Sequence, residues 1–372
     1  MTQLRKKTIL SATMIFLLLT LCSCQSTTAA ADPNSPYAFH PGQIWPDTEG
    51  THINAHGGGI LYYNNTYYWF GEHKTEGRRG NNAWVGVHCY SSKDLYTWKS
   101  EGIALPVVQD DPAHDITAGC TIERPKVIYN AKTKKFVMWF HLELRGKGYV
   151  AARAGVAVAD KPTGPYTYLY SLRPNAGIWP DNVTEKDKRP KPDNLLARDF
   201  ETGQMSRDMT LFVDDDGKAY HIYAAEENYT LNISLLTDDY LKPAGKYVRV
   251  LPRQHLEAPT IFKHKGIYYF IGSECTGWRP NPAHSAFAKS IWGPWKELGN
   301  PCISEGKETT YESQSTYVLP VAGKKDAFIF MADRWVPRNA IDGRYIWLPI
   351  EFRGERPILR WRDSWDLGFF DK

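Results

Sequence analysis

Thr260-Ile261-Phe262-Lys263-His264-Lys265-Gly266-Ile267-Tyr268-Tyr269-Phe270-Ile271 sets two β-branched and aromatic runs around a short turn that ends in glycine. The pattern reads as a β-hairpin, and it recurs. Gly59-Ile60-Leu61-Tyr62-Tyr63 turns through Asn64-Asn65-Thr66 into Tyr67-Tyr68-Trp69-Phe70. Lys126-Val127-Ile128-Tyr129 runs into Phe136-Val137-Met138-Trp139-Phe140. Leu211-Phe212-Val213 turns at Asp214-Asp215-Asp216-Gly217 into Ala219-Tyr220-His221-Ile222-Tyr223, and Tyr317-Val318-Leu319-Pro320 returns as Ala327-Phe328-Ile329-Phe330. One hairpin cannot bury both of its faces, so five spaced along a chain predict a radial array, a five-bladed β-propeller. A second repeat agrees. Residues 91–98, 159–166 and 288–295 each read as a strand, a polar turn and an aromatic before the next strand, with 235–247 a degenerate fourth copy. These supply the outer strands of four-stranded antiparallel blades. A two-sheet sandwich also uses short strands and Gly/Pro turns, but does not account for the paired repeats.

The chain has 372 residues, 42% hydrophobic and 13% aromatic, ample for one large core without a linker. Its 45 basic and 41 acidic residues leave a net charge of +4. With its basic residues scattered, this is no nucleic-acid binder. Arg5-Lys6-Lys7 precedes an apolar run over 9–21 that is too short to span a bilayer. Leu21-Cys22-Ser23-Cys24 then resembles the lipobox of bacterial lipoproteins, in which the cysteine is acylated; Cys24 fits it better than Cys22. The alternative is an ordinary secretory signal cut near Ala29-Ala30-Ala31. The expected organisation is a signal peptide over 1–24, a polar tether over 25–38 and the propeller over 39–372. That makes an exported, periplasmic or outer-membrane lipoprotein, monomeric, touching the membrane through its lipid alone. Cys89, Cys120, Cys275 and Cys302 lack close metal-binding spacing, so neither a zinc site nor another metal or cofactor is expected.

In a propeller the innermost strands converge on one axial mouth, so the residues that precede the hairpins meet in space. Here they include Asn54-Ala55-His56-Gly57, Thr121-Ile122-Glu123-Arg124, Ser206-Arg207-Asp208, His255-Leu256-Glu257 and Glu312-Ser313-Gln314. An unpaired charge against a hydrophobic strand is costly, which makes these polar groups candidates for a site. Leu256-Glu257-Ala258-Pro259, followed by Lys263, Gly266 and Tyr268-Tyr269, resembles the general-acid blade of the five-bladed glycoside hydrolases of family 43. Asp208 with Leu211–Gly217, and Glu123-Arg124-Pro125, resemble its preceding blades. The resemblance runs from about residue 40 to the end.

Most members of that family carry Ala-Asp-Pro in the first blade, with Asp as the base; this chain has Ala55-His56-Gly57. That motif and Tyr68-Trp69-Phe70-Gly71-Glu72 resemble the exo-β-1,3-galactanase subgroup, which lacks the base Asp and assigns the water to a Gln on the last blade. Gln314 occupies that position. The resemblance implies Glu257 as general acid, inversion at the anomeric carbon, and sugar contacts from Glu72, Glu123, Asp208 and Thr276. Gln314 is read as positioning the water, with Glu123 accepting its proton late. His56 is read as a sugar contact, and Arg124 as the ion-pair partner of Glu123. The expected substrate is a plant-type polysaccharide or oligosaccharide such as the β-1,3-galactan backbone of arabinogalactan. An α-L-arabinofuranosidase or β-xylosidase is the nearest enzyme alternative, against which the missing base Asp counts. A glycan-binding lipoprotein without activity is a further alternative, against which Glu257 counts. A protein-interaction propeller leaves the polar residues unexplained.

Overall fold

The computed structural model describes residue 35 and residues 37–371; Cys24 and the signal segment lie outside the described residues, as does most of the tether. Five four-stranded antiparallel sheets follow one another, and in each the strands pair in chain order. This is a five-bladed β-propeller. The first blade comprises His56–Tyr63, Thr66–Glu72, Gly86–Ser92 and Lys99–Pro106. The innermost strands of the others are Thr121–Asn130, Met209–Val213, Leu256–His264 and Gln314–Pro320. The tight hairpins form where the turn residues allow them. Asn64 and Asn65 both take positive φ (48° and 56°), as do Lys265 and Gly266, matching the right-handed twist of the flanking strands. The degenerate 235–247 repeat forms the turn and outer strand of the third blade.

Five apolar clusters hold the molecule together, each lying between two adjacent blades. The seam between the last blade and the first is aromatic: the Trp69 ring lies 4.9 Å from Trp347 and 5.3 Å from Trp98. It is also hydrogen-bonded. Phe39 and Trp365 exchange backbone bonds of 2.7 and 3.2 Å, and the Tyr345 hydroxyl donates to Ile53 O while accepting from Ala55 N. Cys89, Cys120, Cys275 and Cys302 are free thiols, three of them buried. The long segment 171–196, which leads from the last strand of the second blade toward the third, is pinned to the outer side of the third blade, through Asp181 N to Tyr247 O and the Asn182 amide to Arg249.

Four of the five inner strands are bulged near their start, between His56 and Gly59, Glu123 and Lys126, Glu257 and Thr260, and Ser315 and Tyr317. In the first three, the residue after the polar one is left-handed: Gly57 (60°), Arg124 (55°) and Ala258 (53°). A bulge removes an N–H from the sheet ladder and re-aims the adjacent side chain. Each freed N–H finds a carboxylate on the neighbouring blade. Gly57 N donates to Asp333 Oδ2 (2.7 Å), Arg124 N to Glu72 Oε1 (3.0 Å) and Ala258 N to Asp208 Oδ2 (3.0 Å).

Of these positions, Gly57 is the one that admits no side chain, because a Cβ there would stand 2.0 Å from Glu72 Oε1. Left-handed backbone costs a residue with a Cβ about 1–3 kcal/mol, and Gly57→Ala adds the collision with Glu72. Thermal unfolding should show Gly57→Ala less stable than wild type by at least ~2 kcal/mol. An unchanged melting temperature would contradict this account of the bulge.

Candidate active site

The bulges turn polar side chains into a cavity of about 300 Å³ at the axial mouth, lined by Glu72, Lys74, Glu123, Arg124, Asp208 and Glu257 with Gln314 and two tryptophans. Lys126 is buried against the first two bulges. Its stem lies against Gly59, where a Cβ would come within 2.5 Å of it, and its Nζ donates to Gly57 O (2.9 Å) and Arg124 O (3.3 Å). Burial, together with the nearby Arg124 charge, lowers the Lys126 ammonium to about 7.

The two carboxyls of greatest chemical interest are driven in opposite directions. Burial pushes Glu257 up to about 7, and the Asp208 charge adds to this; the Cys275, Arg124 and Gln314 contacts oppose it. Its Oε1 accepts from Gln314 Nε2 (2.8 Å) and its Oε2 from Asn228 Nδ2 (3.2 Å). Burial would raise Glu123 as well, but His141, Lys74 and Tyr149 outweigh it and hold the group down at about 2. The Tyr149 hydroxyl donates to Glu123 Oε1 (2.6 Å), and His141 Nδ1 lies 2.9 Å from Oε2. Since His141 Nε2 is 3.0 Å from Glu143 Oε1, the imidazole faces a carboxylate at both nitrogens. Only the doubly protonated ring can donate to both, and these partners raise His141 to about 9 against its burial. A carboxyl that holds its proton up to about pH 7 and an ionised carboxylate share one cavity, the arrangement that acid–base cleavage needs.

Arg124 departs from the sequence-based expectation. Its guanidinium lies 3.0 Å from Asp208 and donates to Ser315 O (2.6 Å) and Gln314 Oε1 (2.5 Å), whereas His141 and Tyr149 are what hold Glu123. All four hydrogen-bonding positions of the Gln314 amide are filled. Nε2 donates to Glu257 and Ser273 Oγ (3.0 Å), and Oε1 accepts from Arg124 and Trp335 Nε1 (3.1 Å).

Glu72 lies in the inner wall, 4% exposed, bonded to Lys74 and to the Arg124 backbone. Burial raises its carboxyl and Lys74 offsets this in part. His56 does not reach the cavity. Its ring is fully buried behind the wall, stacked on Tyr345 at 5.2 Å with Nδ1 3.4 Å from Asp333, and Gly343 packs against it. The bulge at Gly57 leaves the His56 imidazole packed between the first and fifth blades. Thr276 stands beside the lining residues Cys275 and Gly277, its hydroxyl turned to Arg279 O (2.6 Å) and Asn281 Nδ2 (2.7 Å). No residue of 171–196 lines the cavity.

Sequence reasoning missed His141, Glu143, Lys74, Tyr149, Asn228 and Asp333. A signal for two of them was present: Glu143 and Asp333 lie at or next to the end of the second strand of a blade, opposite Thr121 and Gln314, as the predicted Glu72 does opposite His56. Glu123, His141 and Asp208 also bring ligand-type atoms within 4.8 Å of one another. Both nitrogens of His141 are already taken by carboxylates and Asp208 by Arg124, so a cation there would have to displace existing partners.

A five-bladed propeller with this acid and carboxylate at its axial mouth defines a class of glycoside hydrolases. Residues 191–337 match the family described as Glycosyl hydrolases family 43. The fold superposes on the GH43 β-1,3-galactosidase BT3683, solved with galactodeoxynojirimycin, with a TM-score of 0.85 and 52% identity, covering 88% of this chain and 100% of that one. It is also similar to an exo-β-1,3-galactanase from Phanerochaete chrysosporium solved with galactose (TM-score 0.73, 35% identity, 89% of this chain and 68% of that one). Among curated proteins, the β-D-galactofuranosidase xynD of Aspergillus niger is 26% identical over 185 residues, 48% of this chain; the match spans about half (53%) of that relative. The chain belongs to glycoside hydrolase family 43, and it is a glycoside hydrolase.

An acid must be protonated to work, so kcat/KM should hold below pH 7 and fall as pH rises through the Glu257 value near 7. Gln314→Ala removes a hydrogen bond that favours the ionised form of Glu257, so the alkaline limb should move to higher pH. A pH–rate profile with an unmoved limb would contradict this role for Gln314.

Proposed function

We propose that the protein is an exo-acting β-1,3-galactosidase that removes galactose units, one at a time, from β-1,3-galactan such as the arabinogalactan backbone. The observation that carries this is a raised Glu257 and a depressed Glu123 around a cavity at the small end of ligand pockets, with a closed inner wall. The similarity to the β-1,3-galactosidase BT3683 over nearly the whole chain supports it. A pentosidase reading of the same fold expects a carboxylate at the His56 position, which this chain lacks.

In the proposed reaction the terminal galactose sits among Glu72, Asp208 and Glu123. Glu257 gives its proton to the glycosidic oxygen as that bond breaks, and water adds to the anomeric carbon from the opposite ring face. An inverting enzyme needs its water-activating group about 6.5–9.5 Å from the acid. Gln314 touches the acid directly at 2.8 Å, so its contact geometry does not favour it as the base. Glu123, ionised and held on the second blade, is assigned the water's proton. The Gln314 amide oxygen orients the water once the Trp335 bond, the longer of its two, gives way. Thr276 contacts the sugar only if its hydroxyl leaves Arg279 O, and His56 acts through the wall by packing.

Incubation with β-1,3-galactan should release free galactose, appearing first as the α-anomer by NMR. Glu257→Gln should lower turnover by about 10²–10⁴-fold while galacto-oligosaccharide binding persists. Release of arabinose from branched arabinogalactan in place of galactose would contradict the reading. The protein is further proposed to be a lipoprotein acylated at Cys24; among the described residues no helix is long and apolar enough to cross a membrane. Cys24→Ala should shift it from the membrane to the soluble fraction on cell fractionation, and continued membrane association would count against lipidation.

A further inference from the structure

Glu257 is held from two neighbouring blades at once. Gln314 of the fifth blade donates to its Oε1 (2.8 Å). Asn228, in the turn between the second and third strands of the third blade, donates to its Oε2 (3.2 Å). The same Asn228 nitrogen lies 3.2 Å from the free thiol of Cys275, just past the second strand of the fourth blade. Both residues line the cavity.

The turn that carries Asn228 is an unfavourable one to build. Glu226, Glu227 and Asn228 take positive φ in succession (53°, 56° and 67°). Residues with a Cβ seldom adopt that conformation, and it recurs at functional sites where surrounding contacts enforce it. Here those contacts are ionic. Arg249 forks onto both oxygens of Glu226, each at 2.7 Å, and Arg207 donates to Glu227 Oε2 (2.5 Å) and to Tyr149 O (2.8 Å). Asn228 itself is 7% exposed, and its Oδ1 has no hydrogen-bond partner among the described residues. A buried amide placed for stability would have both ends satisfied. This one is satisfied only where it meets the acid and the thiol.

We infer that Asn228 is a positioning residue for the proposed cleavage: with Gln314 it brackets the Glu257 carboxyl, fixes its rotation and steadies the negative charge that grows there as the proton leaves. The inference rests on Glu257 as the general acid. As the glycosidic C–O bond breaks, the proton passes from Glu257 to the leaving oxygen, and the carboxyl becomes a carboxylate. An N–H donor stabilises a carboxylate more than a neutral acid, so two donors already in place favour the transition state over the resting enzyme. The Cys275 contact favours the ionised form in the same sense. The charged groups that face Glu257 are Asp208 before the third blade's inner strand, which opposes ionisation, and Arg124 of the second blade, which favours it. The fifth blade brings the neutral Gln314.

Asn228→Gly deletes the amide and leaves a residue at home in left-handed backbone, so the turn is retained. On β-1,3-galactobiose its kcat should fall about tenfold while KM stays within about twofold of wild type. The alkaline limb of its pH–rate profile should lie at higher pH, because a donor to the ionised acid is gone. Asn228→Asp sets a negative charge beside Glu257 and should move that limb further the same way. Should Asn228→Gly fail to fold, Asn228→Asp, which keeps the shape of the side chain, decides the matter. A limb that coincides with wild type in either folded variant, or a KM that rises as far as kcat falls, overturns the role of Asn228 and leaves the galactosidase reading standing. Wild-type turnover in Glu257→Gln overturns the acid on which the inference rests, and no galactose release by the wild type overturns the galactosidase reading itself.

Discussion

The site depends on one repeated interaction, a backbone N–H freed by a bulge in an inner strand and captured by a carboxylate of the neighbouring blade. Gly57 to Asp333, Arg124 to Glu72 and Ala258 to Asp208 are three instances of it at three blade junctions. A buried N–H without a partner costs about 1–3 kcal/mol, so each carboxylate stabilises the bulge it caps. Each bulge in turn fixes where the adjacent side chain points. Glu72 enters as the last residue of a second strand and Asp333 as the last but one of another, and Asp208 from the segment before the third blade's inner strand. Blade-to-blade registration and placement of the site are thus the same interaction seen from two sides.

That shared construction makes two glutamates at equivalent positions chemically unlike. Glu123 and Glu257 each precede a left-handed bulge residue. What differs is the residue paired across the hairpin. Opposite Glu123 stands His141, which is itself held between two carboxylates and supplies positive charge. Opposite Glu257 stands Ser273, which supplies none, and the neighbouring Asp208 charge pushes Glu257 toward its neutral form. Arg124 is spent on Asp208, Ser315 and Gln314, so its charge lowers Glu257 only in part. The opposite shifts of the two carboxyls follow in part from the residue that each faces on the second strand of its blade.

Much of the fold was legible because hairpin turns are local chemistry. Asn64-Asn65 and Lys265-Gly266 adopt the positive φ values that their residue types favour, and the aromatic runs beside them pair as their alternation requires. That Glu257, Glu123, Asp208 and Gln314 share one cavity was legible because propeller topology brings the starts of inner strands together, whereas Glu72, at the end of a second strand, was pointed to by the family resemblance. His56 was misread because sequence position does not say on which side of a bulge a side chain emerges. The partner of Arg124 was misread for a related reason: four acidic groups surround it, and only the packed geometry selects Asp208. His141 looked like one polar residue in a buried hairpin strand. Its pairing with Glu123 follows from a register that the bulge shifts, and nothing local encodes that shift.

Gln314 touches Glu257 and lines the same cavity. In the proposed reaction it lies where the bond breaks. A crystal of Glu257→Gln soaked with β-1,3-galactobiose tests the account most directly. The terminal galactose should lie among Glu72, Glu123 and Asp208, with its glycosidic oxygen about 3 Å from the substituted side chain. A sugar bound elsewhere on the propeller, or one whose glycosidic oxygen faces away from residue 257, would contradict it.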